Sequence, residues 1–258
     1  MRQKGFVRLL LCAALVLGLG LLSARADDKK EHTAVKPVPR DKNWEKRHEG
    51  FVAEAKKGGI DLLLLGDSIT DGWRSFNEKE LRGGKRVYEK EFVPLKAANF
   101  GIGGDRSQHV LWRLQNGELD GIKPKVVMLM IGTNNSNGKD NTAEEIADGI
   151  KAIVEEIHKK SPETKVLLLA IFPRGADPSV ENIKNQREKL KAVNAIIAKL
   201  DDKGKTVKYL DIGDKFLEKD GTISKDVMYD ALHLTEKGYQ IWADAVKGPI
   251  EDLMKKQS

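Results

Sequence analysis

Four consecutive leucines, Leu62–Leu65, run straight into Gly66-Asp67-Ser68. A short apolar run closed by a turn signal is the pattern of a strand buried on both faces, as in a parallel sheet covered by helices. Open parallel sheets place their ligands just beyond the carboxyl ends of the strands, so such a strand would deliver Ser68 to the edge where that architecture does its chemistry. Gly-Asp-Ser alone also suits a plain turn in which Asp67 and Ser68 cap the next helix. The remaining blocks of the sequence decide between these readings.

Residues 1–26 have a basic start (Arg2, Lys4, Arg8), an apolar run from Leu9 to Leu22, and Ser23-Ala24-Arg25-Ala26 before Asp27. This is the pattern of a secretory signal peptide with an Ala-x-Ala cleavage site, and its apolar run is short for a membrane span. The expected localisation is therefore secreted or periplasmic, with no stable membrane insertion once the leader is removed; retention of the leader as an anchor is the alternative. Removing residues 1–26 takes away Arg2, Lys4, Arg8 and Arg25 and no acidic residue, so 45 basic against 39 acidic residues becomes 41 against 39 and the charge falls from +6 to +2. The basic balance thus belongs largely to the leader, and no nucleic-acid partner is expected. The only cysteine, Cys12, lies in the leader, so the mature chain can form no internal disulfide and offers no thiolate.

Asp27 to Lys42 is charged, contains Pro37 and Pro39 and lacks periodicity, which predicts an exposed lead-in with little order. The domain is expected over residues 43–258. Trp44, His48, Phe51, Val52 and Ala55 fall at helical spacing, with His48 read as a hydrogen-bonded core histidine. Further strands are predicted at Lys96–Phe100, Val126–Ile131, Lys165–Ile171 and Val207–Ile212. Helices are predicted at Gln108–Asn116, after the capping box at Thr142–Glu145, along Ile183–Leu200, and after Thr235 through Tyr239, Trp242 and Val246. The polar stretch from Thr70 to Lys90 has no clear assignment. Strands alternating with helices give an α/β fold: a three-layer α/β/α sandwich around a five-stranded parallel sheet.

Four loops at the strand ends offer chemistry: Ser68 after the first strand, Gly101-Ile-Gly-Gly104-Asp105 and Gly132-Thr-Asn134 after the second and third, and Asp230-Ala-Leu-His233 before the last helix. A serine hydroxyl needs an imidazole to take its proton, and the imidazole needs a carboxylate to fix its tautomer. An oxyanion needs preorganised N–H donors. Ser68, His233 and Asp230 could form a triad, and the N–H groups of Ser68 and Gly104 with the Asn134 amide an oxyanion hole. Gly-x-Gly-Gly lacks the spacing of a dinucleotide fingerprint. His109 near Asp105 does not make a metal site, and Arg174, which ends the fourth strand, could line the mouth of the site.

These blocks, in this order, resemble those of the SGNH (GDSL-type) hydrolases, and the closer resemblance is to the catalytic subunits of the intracellular platelet-activating factor acetylhydrolase branch. Asn99-Phe-Gly-Ile-Gly-Gly-Asp105, His109-Val-Leu-Trp-Arg-Leu114, Asn116-Gly-Glu-Leu119, Ile122-Lys-Pro-Lys125 and Asp230-x-Leu-His-Leu-Thr235 carry it, from about Trp44 onward. The resemblance implies a flavodoxin-like sheet, Ser68 as nucleophile, His233 as base, Asp230 as its orienter and Gly104 with Asn134 at the oxyanion. It also implies that Ile69 and Leu232 confine the acyl pocket to a short chain. The chain departs from that branch in carrying a leader and in a longer Ser68–Gly104 segment that includes Trp73 and Gly83-Gly84, and a loop there can roof the site. The expected activity is that of a secreted serine esterase removing short acyl groups, foremost acetyl, from a small-molecule or glycan ester, with no metal or organic cofactor. A lysophospholipase or thioesterase, a carbohydrate-binding protein without turnover and, on fold alone, a flavin-binding domain are the alternatives, and a homodimer stays open.

Overall fold

Alternation within the strands sets the layers. In β1 (Leu62–Gly66), Leu63 and Leu65 face one apolar cluster and Leu62 and Leu64 the other; in β3 (Val126–Met130), Val127 and Leu129 oppose Val126, Met128 and Met130. The first cluster is closed by α1 (Lys42–Ala55), α4 (Ser107–Arg113), α5 (Ala143–Lys160) and α6 (Glu181–Ile197). The second is closed by α3 (Lys85–Glu91) and α7 (Glu236–Lys255). A computed structural model describes residues 32–255. The predicted leader, residues 1–26, lies outside the described residues. No helix among those described is long and apolar enough to cross a membrane.

With β2 (Ala97–Asn99), β4 (Lys165–Leu169) and β5 (Val207–Leu210), the sheet runs in the order β2-β1-β3-β4-β5, all parallel. This is the three-layer, flavodoxin-like sandwich expected from the sequence. The chain leaves β1 to one side for β2 and returns to the other for β3, which makes a topological switch point at β1/β3, where ligands bind in open α/β sheets. Gly66 pairs with Met130, so the loops after β1 and β3 leave the sheet at one level. Hydrogen bonds from Phe100 N to Leu64 O (2.8 Å) and from Ile102 N to Gly66 O (3.2 Å) bring the loop after β2 to the same height. A Cβ on Gly66 would sit 2.3 Å from both the Met130 carbonyl and Thr70 Oγ1, so the first residue of the Gly-Asp-Ser block must be glycine for these loops to close up.

Two stretches depart from the sequence reading. The lead-in predicted to have little order is, over residues 32–41, packed on the domain: Ala34 is fully buried, its carbonyl accepts a hydrogen bond from Ser107 Oγ (2.8 Å), and Thr33 Oγ1 accepts one from Asn141 Nδ2 (3.0 Å). Asp41 caps α1, accepting from the N–H groups of Asn43 (3.0 Å) and Trp44 (3.1 Å). Polar groups with individual partners do the ordering here, and hydrophobic periodicity does not register them.

The unassigned stretch after Thr70 is also structured. It forms the short helix α2 (Ser68–Asp71), a 3-10 turn (Gly72–Arg74) and a small hairpin in which Asn77 and Arg82 exchange backbone hydrogen bonds (2.9 and 3.3 Å). Trp73 is fully buried, with its ring 4.4 Å from Tyr239, 5.0 Å from Trp242 and 5.1 Å edge-on from Phe92. This extra segment therefore belongs to the core under α7. Trp73→Ala should destabilise the protein by about 3–5 kcal/mol, read from urea unfolding; a loss under about 1 kcal/mol would show that the segment is an appendage.

Candidate active site

Ser68 is the first residue of α2. Asp67, directly before it, is the N-cap and accepts the Ile69 N–H (3.0 Å). The loop before α7 brings in the other two groups. His233 Nε2 lies 2.9 Å from Ser68 Oγ, and His233 Nδ1 lies 2.7 Å from Asp230 Oδ2. Asp230 Oδ1 also accepts the N–H groups of His233 (2.7 Å) and Leu232 (3.1 Å), while Ala231 between them takes a positive φ of 59° to close the tight turn. Partial burial works against a charged Asp230, but the ring and backbone donors outweigh it and hold its pKa below the ordinary carboxylate value. A charged Asp230 fixes the tautomer with the proton on Nδ1 and leaves Nε2 to accept from the serine.

The predicted oxyanion donors gather beside this row. Ser68 N–H belongs to the first turn of α2, where helix geometry supplies no acceptor. Gly104, at φ 80°, follows Gly103, and a Cβ on Gly103 would come 3.7 Å from Ser68 Cβ. Asn134 Nδ2 donates to the Asp105 carbonyl (2.8 Å), which uses one amide hydrogen, fixes the amide plane and leaves the second hydrogen for a ligand. Of the two residues expected at the acyl pocket, Ile69 is 1 % exposed within the apolar cluster under α7, and Leu232, next to His233, is half-buried against that cluster. The cavity that opens beside Ser68 and His233, about 360 Å³, is walled by Asp71, Arg74, Ser75, Arg82, Tyr229, Leu234 and Tyr239.

The periodicity of the sequence does not disclose the charged groups that hold the loops. Asp71 accepts two hydrogen bonds from Arg47 (2.7 and 2.9 Å), one from Arg74 (2.6 Å) and the Gly103 N–H (3.0 Å), tying α1 and the loops after β1 and β2 together. Arg40 Nη1 donates to the Gly103 carbonyl (2.8 Å) and to Asp105 Oδ1 (3.0 Å), and its guanidinium lies where a Cβ on Gly104 would meet it at 3.2 Å. Asp105, fully buried, also accepts from Trp44 Nε1 (2.7 Å) and pairs with Arg113 Nε (3.0 Å), whose Nη1 reaches both oxygens of buried Glu118 (2.7 Å each). Arg113 within Val110-Leu-Trp-Arg-Leu114 is the one signal that could have exposed this network, since a cation in an apolar helical stretch needs a buried partner.

His48, read as a core histidine, contacts Glu118 Oε1 (3.1 Å) and the Asn116 carbonyl (3.1 Å). His109 packs beside Trp44 and accepts the Arg106 N–H at Nδ1 (3.0 Å). Burial, with Arg40, Arg106 and Arg113 nearby, pushes His109 down to about 4, so it stays neutral. Arg174 contacts Thr133 and Asn137 on the loop after β3 (3.1–3.3 Å). On the far side of the site, Arg82 stacks over Tyr229 (4.0 Å to the ring centroid) and Tyr229 lies nearly parallel to His233 (6.0 Å, 21°), so the extra hairpin braces the histidine loop. Among the described residues no cluster of three or more His, Cys, Asp or Glu side chains could hold a metal ion.

Asp67 lies in the core beneath the serine, and burial raises its pKa to about 7, with Asp105 adding to the rise and the Ile69 N–H and Arg174 opposing it. The folded state therefore holds the Asp67 proton more tightly than the unfolded chain does. Its contribution to stability is full below the ordinary carboxylate pKa and declines as pH rises to about 7. Asp67→Asn should gain stability relative to the wild type by about 1 kcal/mol per pH unit between pH 4 and 7 and then level off, as read from urea midpoints. A constant difference across that range would contradict it.

The GDSL-like Lipase/Acylhydrolase family model matches residues 64–241, which span the blocks around Ser68, Asn134 and His233. The chain is 40% identical over 206 residues to platelet-activating factor acetylhydrolase IB subunit alpha2 of Rattus norvegicus, covering 80% of this chain and 82% of that protein. Its fold is similar to that of a GDSL-like lipase from Bacteroides thetaiotaomicron (TM-score 0.61, 22% identity, 80% of this chain and 97% of that one). It is also similar to Est24, a carbohydrate acetylesterase from Sinorhizobium meliloti (TM-score 0.57, 21% identity, 75% and 99%). With the family model matched over more than half its length, and that relative matched over most of both chains, this chain belongs to the GDSL-like lipase/acylhydrolase family of esterase-type hydrolases.

Proposed function

We propose that the protein is an exported serine esterase that removes short acyl groups, foremost acetyl, from an alcohol-bearing substrate, with an acetylated glycan as the favoured class. The observation that carries the chemistry is the unbroken row from Ser68 Oγ through the His233 ring to Asp230, at 2.9 and 2.7 Å. Ser68 Oγ attacks the ester carbonyl as His233 Nε2 takes its proton, and Asp230 steadies the imidazolium. The negative charge on the former carbonyl oxygen falls to the N–H groups of Ser68 and Gly104 and the Asn134 amide. His233 returns the proton to the departing alcohol, and a water molecule repeats the sequence to free the acid.

The acyl and substrate assignments rest on the surroundings. A fatty chain needs a continuous apolar trough, and the cavity beside Ser68 has a mixed lining in which Asp71, Arg74, Ser75 and Arg82 stand alongside Tyr229, Leu234 and Tyr239. The similar proteins include an acetylhydrolase and a carbohydrate acetylesterase. The leader-like first 26 residues favour a substrate outside the cytoplasm, where acetylated glycans are abundant targets.

Acetate release from acetylated xylan, pectin, chitin oligomers and a short-chain phosphatidylcholine tests the substrate class. Rates on p-nitrophenyl esters should fall from acetate to octanoate, and a rise with chain length would overturn the acyl assignment. Ser68→Ala and His233→Ala should each lower turnover by several orders of magnitude, and Asn134→Ala by roughly a hundred- to a thousandfold, with folding intact. A fluorophosphonate probe should label the wild type and not Ser68→Ala. Arg40→Ala, which releases the Gly103–Asp105 loop, should lower kcat by roughly ten- to a hundredfold with little change in KM, and guanidinium in the buffer should restore part of it. An unchanged kcat would show that Arg40 plays no part in placing the oxyanion donors.

A further inference from the structure

α6 carries two stripes at helical spacing. Leu190, Val193 and Ile197 enter the core in the usual way. Asn182, Asn185, Gln186 and Lys189, spaced three, four and seven residues on, form a second stripe with no apolar member, and this one faces an open cleft of about 480 Å³. The opposite wall is Ser136–Gly138, on the same loop as Asn134, and Arg174 lies between, bonded to Asn137 Oδ1 (3.1 Å) and to Thr133. The next residue, Gly175, donates its N–H to the Ala231 carbonyl (2.8 Å) inside the Asp230–His233 turn. The cleft is thus linked to the loop of Asn134 through Ser136–Gly138 and to the His233 turn through the residue after Arg174.

We infer that this cleft is the groove in which a neutral oligosaccharide chain lies while its ester is presented to Ser68, an assignment that rests on the esterase reading above. The chemistry of the walls selects the ligand. Its cations turn donors onto neutral oxygens of the protein: Lys189 Nζ donates to the carbonyls of Gly138 (2.9 Å), Asn141 (3.2 Å) and Ser136 (3.4 Å), and Arg174 Nη1 is held by Thr133 and Asn137. What faces the opening is amide. Asn182 and Asn185 are exposed and make no side-chain hydrogen bond to any described residue, while Gln186 reaches Ser136 Oγ (3.3 Å). An amide offers a donor and an acceptor on one head group, which matches a pair of neighbouring hydroxyls. A fatty ligand would call for an apolar lining, and an anionic one would have to displace the amides in favour of Arg174, the outcome that oligogalacturonate tests below. The volume is that of a small-ligand site.

The test is the double variant Asn182→Ala/Asn185→Ala, two exposed positions whose truncation leaves the core untouched. Its kcat/KM on acetylated xylo-oligosaccharide should fall, through KM, at least tenfold more than its kcat/KM on p-nitrophenyl acetate, which is too small to occupy the groove. Binding is measured separately by calorimetry on Ser68→Ala, with xylo-, cello- and chito-oligosaccharides and with oligogalacturonate. At least one neutral oligosaccharide should bind, and adding the double substitution should weaken it tenfold or more. Equal loss on both esters, no binding of any neutral oligosaccharide, or tighter binding of oligogalacturonate overturns the groove and leaves the esterase reading standing. A wild type that cleaves no ester, yet binds a neutral oligosaccharide through Asn182 and Asn185, overturns the esterase reading and keeps the groove.

Discussion

Asp105 has no contact with solvent, and the loop after β2 is built around it. Its side chain gathers Trp44, Arg40 and Arg113, while its backbone carbonyl orients the Asn134 amide. Burying a carboxylate is costly, and burial does raise its pKa against the pull of Arg113, Trp44 and Arg40. Removing one partner from such a set leaves another charge stranded, so the Asp105–Arg113–Glu118 chain holds as a unit. It gains little over an apolar core in stability; what it supplies is a single position for a loop whose N–H groups the proposed reaction turns toward a developing charge.

The sheet supplies the other half of that arrangement. Because β1 and β3 are neighbours with Gly66 opposite Met130, the serine and the asparagine leave the sheet side by side. Only the imidazole and its carboxylate come from far away in the chain, and the turn at Ala231, bonded to Gly175 on one flank and braced by Arg82 over Tyr229 on the other, sets their reach. Rigid strands fix two of the groups, and a turn braced on both flanks fixes the rest.

Much of this was legible in the residues. The leucine run of β1 and the apolar run of β3 announce themselves because a strand buried on both faces has no polar member to confuse the pattern. Ser68, His233 and Asp230 could be picked out because their chemistry is uncommon in combination, and the structure brings the three within hydrogen-bonding reach. Trp73 was missed because it enters the core from a turn, where no helical or strand period marks it. Arg40 was missed because it lies in a proline-containing, charged stretch that reads as unstructured, and its role depends on two groups more than sixty residues away. Ile69 shows the converse: its neighbour is the serine, but helix α2 turns its side chain into the core.

Arg40 also gives the amino-terminal fringe of the domain a significance that its composition hides. A chain trimmed past that residue would keep serine, histidine and aspartate in register and still lose the clamp on the glycine loop. Ragged processing there would yield a population of mixed speeds, visible as two phases in a single-turnover trace, and of mixed stability, since buried Ala34 and a partner of buried Asp105 go with it.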